Sequence, residues 1–316
     1  MTTPAIPPRH PRRLVFLGTP AASVPALRAL VAAGFDVALV VSQPDRRRGR
    51  GGATSPSPVK AAAVELGLPV TDQVDDARAV GADLGVVVAF GEILRADLLA
   101  EVPMVNIHFS LLPRWRGAAP VERALLAGDE RTGVCIMEVV EALDAGAVHA
   151  VAEIPIGSDA TAAELRDELA EVGARLLVET LTAGLGEPTP QEGEPTYAKK
   201  ITPFVLELDW SRPAAELHRV VRVGGAWTTF RGKRLRVWEA HLAGPDPDPD
   251  VETPPAGPPA TVRVEGGWPV VATGEGGLVL DEVQPEGKAR VLGPAWANGA
   301  RLTSDETLGD ILGARR

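Results

Sequence analysis

In the first half of the chain, short apolar runs alternate with longer segments in which apolar residues recur at helical spacing. RLVFL, from Arg13 to Leu17, is followed by PAASVPALRALVAAG and DVALVVS, with LGVVVAF and MVNIHF further on. The runs are apolar throughout rather than alternating, as expected of strands covered on both faces. Their succession with helical patterns predicts a parallel sheet with crossover helices. Thr19 and Pro20, directly after the first run, read as the N-cap and first turn of a helix. SDATAAELRDELAEVGARLLVETLTAG then places Thr161 and Glu164 at capping-box spacing, with apolar residues at Leu165, Leu169, Val172 and Leu176. An amphipathic helix is predicted there, as the last large element of a first domain.

The pattern changes after that helix. GLGEPTPQEGEPTYAKK is rich in Gly, Pro and Glu, as linkers are, and beyond it RLRVWEAHL, ATVRVE, PVVAT and GLVLDEV read as short strands separated by turns. A small antiparallel barrel or sandwich is expected, preceded by one helix around Pro213 to Val223. The organisation expected is a loose leader over residues 1–12, a first domain over 13–190, a linker over 191–208 and a second domain over 209–316. The prolines between Gly244 and Pro259 place that stretch in an exposed loop.

Composition narrows the class. A chain of 316 residues that is 45% apolar supports two hydrophobic cores. The single cysteine, Cys135, excludes disulfides and cysteine-rich zinc sites and fits a reducing cytoplasmic setting. No apolar stretch approaches the ~20 residues that span a bilayer, so no membrane partner is expected. A net charge of −10 argues against a protein that coats nucleic acid nonspecifically. Two basic patches stand out against it: RRRGR at Arg46 to Arg50, and six Lys or Arg residues with no carboxylate between Leu217 and Trp238. Such patches hold a polyanion at a chosen place.

The candidate chemistry lies in NIHFSLLPRWRGAAP, beginning at Asn106. If MVNIHF is a strand, alternation sends Asn106 and His108 to one face. An imidazole that exchanges protons and an amide that donates to a developing oxyanion together suit attack on a carbonyl-like carbon. EALDAG places Asp144 after a further strand-like run, where its carboxylate would orient the imidazole and favour its protonated form. Alternatives remain at this level. His108 is also readable as hydrogen-bonded structure, and Ser110 as a nucleophile, although no GxSxG elbow surrounds it. Only Gly18 stands where a dinucleotide fingerprint needs GxGxxG, which disfavours an NAD enzyme. No metal is expected, since the other histidines are scattered and HExxH is absent.

NIHFSLLPRWRGAAP followed by ALDAG resembles the active-site signature of the folate-dependent formyltransferases. The similarity extends through FLGTP, SQPDRRRGRGGATSPSPVK, VVVAFGEIL, TYAKKI, DWS and GAWTTFRGKRL. The resemblance implies a Rossmann-like formyltransferase domain followed by an OB-like barrel that helps hold tRNA. It implies a reaction moving a formyl group from 10-formyltetrahydrofolate, a co-substrate, to the α-amino group of methionine on initiator tRNA. Asn106, His108 and Asp144 would be the catalytic trio. Ser110, Leu111, Leu112 and Pro113 would line the folate site, with Val88, Ala89, Phe90 and Gly91 supplying apolar walls and backbone partners. Arg46, Arg47, Arg48 and Arg50 of the basic loop, and Arg219, Arg222, Arg231, Lys233 and Arg234 of the second domain, would face tRNA. A monomer is expected. Relatives acting on an amino-sugar nucleotide or glycinamide ribonucleotide, and a noncatalytic folate- or RNA-binding module, are the competing readings. For the Arg-Trp-Arg after Pro113 the pattern offers packing of Trp115 and a place near substrate for Arg114 or Arg116, without choosing between the two.

Overall fold

The structure, a computed structural model, describes residues 4–47, 54–244, 257–303 and 306–309. The chain divides into two compact units. One comprises Met1–Val121, Glu130–Ile156 and Glu164–Lys199, the other Glu122–Asp129, Gly157–Ala163 and Lys200–Arg316.

The first unit is built on β1 (Arg13–Gly18), α1 (Val24–Ala32), β2 (Asp36–Val41), β3 (Arg46–Arg47), β4 (Thr54–Ser55), α2 (Pro58–Glu65) and β5 (Val70–Thr71). There follow β6 (Leu84–Val88), α3 (Ala96–Glu101), β7 (Met104–His108), β8 (Arg116–Gly117), α4 (Pro120–Ala127, which belongs to the second unit from Glu122 on), β9 (Arg131–Glu138), β10 (Val148–Pro155), α5 (Ala162–Ala183) and β11 (Tyr197–Ala198). Its seven-stranded sheet has the order β10-β9-β7-β6-β1-β2-β5. The five strands β5, β2, β1, β6 and β7 are parallel, as their continuous apolar runs require, while β9 and β10 are added antiparallel. The strand order reverses between β1 and β6. That switch point is where ligands bind in open α/β sheets, outside the carboxyl ends of the strands.

Thr19 does not cap a helix. Its hydroxyl donates to the carbonyl of Phe90 at 3.1 Å, and that of Ser23 to the carbonyl of Val88 at 2.7 Å. Both hydroxyls therefore tie the turn after β1 to the end of β6, and α1 begins only at Val24. Residues 4–12, expected as a loose leader, bond to this unit through Ala5 N–H to Leu99 O at 2.8 Å and Leu185 N–H to Arg9 O at 2.7 Å.

The buried stripe of α5 runs through Leu165, Leu169, Leu177 and Leu181, with Ala170 and Ala174 beside it. Val172 and Leu176, expected on that stripe, are half-buried. Gly173 lies on the buried side, where a Cβ would stand 2.8 Å from Ile107 Cγ2 and 3.2 Å from Val134 Cγ1. A mid-helix glycine costs roughly 0.5–1 kcal/mol relative to alanine; here it lets the helix approach the strand that carries Asn106 and His108.

The second unit contains α6 (Ala214–Val223), β12 (Trp227–Phe230), β13 (Lys233–Ala243), β14 (Val262–Glu265), β15 (Trp268–Ala272), β16 (Gly277–Pro285), β17 (Val291–Leu292) and α7 (Gly293–Ala300). The strands form one antiparallel sheet in the order β12-β13-β16-β15-β14, with β17 on β16. Among the described residues β12 and β14 do not pair with each other, so this is a curled half-barrel rather than a closed barrel. Leu217 and Val221 of α6 and Trp296 of α7 pack with Leu235, Val237 and Leu280 in its core. Most of the proline-rich stretch between Gly244 and Pro259 lies outside the described residues.

Replacing Gly173 with Val is expected to destabilise the protein by roughly 1–3 kcal/mol through overpacking against Ile107, read as a lowered Tm by calorimetry. An unchanged Tm would show that α5 does not rest on β7 in this way.

Candidate active site

Alternation along β7 works as the sequence suggests. Ile107 points to Gly173 of α5, and Asn106 and His108 share the other face. His108 is 5% exposed and Asn106 half-buried. The chain then turns through Ser110–Pro113, where the Leu112–Pro113 peptide is cis. Ser110 is fully buried, and its hydroxyl donates to the carbonyl of Arg114 at 2.6 Å. Committed to that bond and removed from solvent, it is no nucleophile.

The imidazole of His108 is held by main chain. Its Nε2 lies 2.9 Å from the carbonyl oxygen of Trp115. A carbonyl only accepts, so in the neutral ring Nε2 carries the hydrogen and Nδ1 holds the lone pair. Nδ1 faces Asp144 Oδ2 at 3.8 Å, a distance for charge interaction and too long for a hydrogen bond. The same Oδ2 accepts from the backbone N–H of Gly117 at 2.7 Å. Trp115 and Gly117, two residues apart, thus hold the two groups that 36 residues separate in sequence.

Asp144 reaches the site by a route that the parallel-sheet rule does not describe. Because β9 runs antiparallel to β7, it ends opposite Val105, at the far end of the strand from His108. The loop beyond it closes with the Glu138 N–H on Ala147 O at 2.8 Å. Gly146 makes this closure possible, since a Cβ there would stand 1.9 Å from Glu138 O. Asp144 itself adopts φ 47°, a left-handed conformation that Asp tolerates better than most residues.

The segment after α5, expected as a linker over 191–208, contributes to this site. β11 pairs in parallel with β8, Arg116 N–H donates to Thr196 O at 2.8 Å, and Trp115 N–H donates to Thr196 Oγ1 at 2.9 Å. Gln191 Nε2 donates to the carbonyls of Asp144 and Gly146, both at 2.8 Å. Its Oε1 accepts from Arg116 Nε at 3.0 Å and Nη2 at 2.6 Å. A Gly-, Pro- and Glu-rich composition carries no signal for such contacts. The Arg114 guanidinium stacks over the Trp115 ring at 4.6 Å.

The other expected ligand-facing residues divide. Val88 and Phe90 are core residues, 1% and 3% exposed, and their carbonyls are taken by Ser23 and Thr19. Ala89 and Gly91 are exposed, with φ 45° and 82°, so at this corner the backbone rather than apolar side chains is presented outward. Leu111, Leu112 and Pro113 are half-buried. Arg46 and Arg47 form a short hairpin with Thr54 and Ser55, while Arg48 and Arg50 lie outside the described residues.

In the second unit, Arg222 donates to Ala160 O at 2.8 Å and Gly157 O at 2.7 Å, and Arg219 packs on Gly128. Both are held within the fold. Arg231, Lys233 and Arg234 are exposed, Arg231 paired with Glu306 and Arg234 stacked 4.1 Å over Trp227. Arg236 and Arg290 flank Trp238 at 5.9 and 3.4 Å, a basic and aromatic cluster that charge counting alone did not isolate.

Together these features define an α/β protein with an amide, an imidazole and a carboxylate gathered beside the switch point of its sheet, followed by a curled sheet that carries arginines on the faces of Trp227 and Trp238. The chain belongs to the formyl transferase family: residues 12–181 match the formyl transferase model and residues 200–301 that of the formyl transferase C-terminal domain. It is 46% identical over 305 residues to a methionyl-tRNA formyltransferase of Symbiobacterium thermophilum, covering 91% of this chain and 92% of that protein. A methionyl-tRNA formyltransferase of Paracoccus denitrificans is 47% identical over 294 residues, covering 87% and 93%. In fold the chain resembles an N-formyltransferase from Helicobacter canadensis solved with folinic acid and dTDP-3-aminofucose. The TM-score is 0.64 at 14% identity, over 86% of this chain and 98% of that one.

Cys135 lies opposite His108 across β7 and β9 and is 1% exposed. Burial pushes its thiol up to about 11, against the hydrogen bond from the Leu112 backbone that acts to lower it. At pH 8 it is therefore a neutral thiol. Ellman's reagent is expected to label the native protein slowly and the denatured protein at once; fast stoichiometric labelling of the native form would contradict this burial.

Proposed function

We propose that this protein transfers the formyl group of 10-formyltetrahydrofolate to the α-amino group of methionine carried by initiator tRNA. The observation that carries this reading is the 46% identity to a methionyl-tRNA formyltransferase over 91% of the chain. The site chemistry agrees with it. An α-amino group has a reference pKa of about 7.7–8.0, so the neutral amine is available near pH 7 and the reaction needs only modest base assistance.

His108 Nδ1, its lone pair free while Nε2–H bonds Trp115 O, takes the proton that the amine loses as its nitrogen bonds the formyl carbon. Asp144 stabilises the resulting imidazolium by its charge, with its geometry held by Gly117 N–H. Asn106 donates to the tetrahedral oxyanion. When the oxyanion collapses the bond from carbon to N10 breaks, and His108 returns the proton to N10. Leu111, Leu112 and Pro113, in a turn held from inside by the buried Ser110, form the folate-binding edge with the exposed backbone of Ala89 and Gly91. Arg231, Lys233 and Arg234 meet tRNA phosphates, joined by Arg46, Arg47, Arg48 and Arg50 of the basic loop. In this reading residues 13–190 form the catalytic domain, 209–316 the tRNA-holding domain, and the protein works as a cytoplasmic monomer without a metal.

Purified protein given 10-formyltetrahydrofolate and methionyl initiator tRNA should form formylmethionyl-tRNA, and should leave a dTDP-amino sugar and glycinamide ribonucleotide unmodified. The reverse preference would overturn the substrate assignment. His108→Ala is expected to lower kcat by roughly 10²–10⁴-fold, and Asn106→Ala by about 10²–10³-fold; native rates would refute their roles. For Arg50→Ala, the KM for tRNA should rise, and rise further with added salt, while kcat at saturating tRNA changes little. A salt-independent loss of kcat would contradict a phosphate contact.

A further inference from the structure

We propose that Gln191 is a positioning residue of this site. Its carboxamide fastens the loop carrying Asp144 to the segment carrying Arg116, and so fixes the carboxylate that faces His108. The inference rests on the catalytic reading of Asp144 and His108.

The hydrogen bonds identify the residue type. A carboxamide has two N–H donors and one oxygen with two lone pairs, and Gln191 uses all four. Nε2 donates to Asp144 O and Gly146 O, both at 2.8 Å, while Oε1 receives Arg116 Nε at 3.0 Å and Nη2 at 2.6 Å. The amide orientation follows from the partners. Turned over, it would set oxygen against two carbonyls and N–H against a guanidinium. Glutamate lacks the donors, lysine lacks the acceptor, and asparagine is one methylene short.

The two carbonyls it holds bracket Ala145 within the turn where Asp144 has φ 47° and where Gly146 packs against Glu138 O. With the main chain of Asp144 fixed on one side and its Oδ2 fixed by Gly117 N–H on the other, the carboxylate has little freedom to leave His108. On the acceptor side, Arg116 is half-buried and meets no carboxylate among the described residues. Gln191 therefore orients this guanidinium without neutralising it.

The test compares Gln191→Met, which keeps length but removes every hydrogen bond, with Gln191→Glu, which keeps only the acceptor for Arg116. The readout is steady-state formylation of methionyl initiator tRNA, with Tm measured on each variant. Both variants should lose kcat by about 10²-fold, the scale of a misplacement near 1 Å, with KM for 10-formyltetrahydrofolate within about threefold of native. In a double variant, Gln191→Met should add less than about threefold to the loss caused by Asp144→Asn, because the two act through one group. A merely stabilising residue would lower Tm and multiply its effect with Asp144→Asn; that result would overturn the proposal. So would native kcat in Gln191→Glu, which would reduce the role to tethering Arg116. Native activity in Gln191→Met beside a crippled Asp144→Asn would sink the role of Gln191 alone. Native activity in Asp144→Asn would remove the catalytic reading beneath it.

Discussion

The site depends on two main-chain groups of one short segment. The carbonyl of Trp115 holds His108 by Nε2, and the N–H of Gly117 holds the carboxylate of Asp144. The bond to the carboxylate contributes about 1.5–3 kcal/mol and the one from the neutral imidazole about 0.5–1.5 kcal/mol, and the two also fix direction: they turn Nδ1 toward a carboxylate that does not itself hydrogen-bond to it. Asp144 is thus an electrostatic neighbour of the imidazole, leaving the ring's orientation to backbone.

That segment must in turn be held, since neither helix nor large sheet contains it. β11 pairs with β8, and Thr196 receives both the Trp115 N–H and the Arg116 N–H. From the same stretch, Gln191 reaches the loop of Asp144. The polypeptide between α5 and α6 therefore holds the geometry around His108 and Asp144 through its first half. Gly117 shows how close the approach is: at φ 116°, its missing Cβ would lie 3.1 Å from Ala198 O.

The second unit shows a comparable division among its basic residues. Arg222 caps carbonyls, and Arg219 packs on a glycine, whereas Arg234, Arg236 and Arg290 lie on or beside tryptophan faces. Guanidinium groups laid on aromatic rings keep their charge while losing side-chain freedom. A surface of this kind suits a polyanion better than the same number of mobile lysines.

The sequence by itself determined the layered architecture, because apolar runs without alternation require a sheet covered on both faces and period-two alternation places Asn106 beside His108. It also determined α6 and the antiparallel character of the second half. It did not reveal that Thr19 bonds a carbonyl instead of capping a helix, that the stripe of α5 excludes Val172 and Leu176, or that Val88 and Phe90 belong to the core. Nor did it explain Trp115, Arg116 or Gln191. Their contributions run through main-chain atoms or a single carboxamide, and neither periodicity nor charge marks which backbone group will be needed 47 residues away. Only the tertiary structure decided those pairings, since the antiparallel turn of β9 and the return of the chain after α5 bring the partners together.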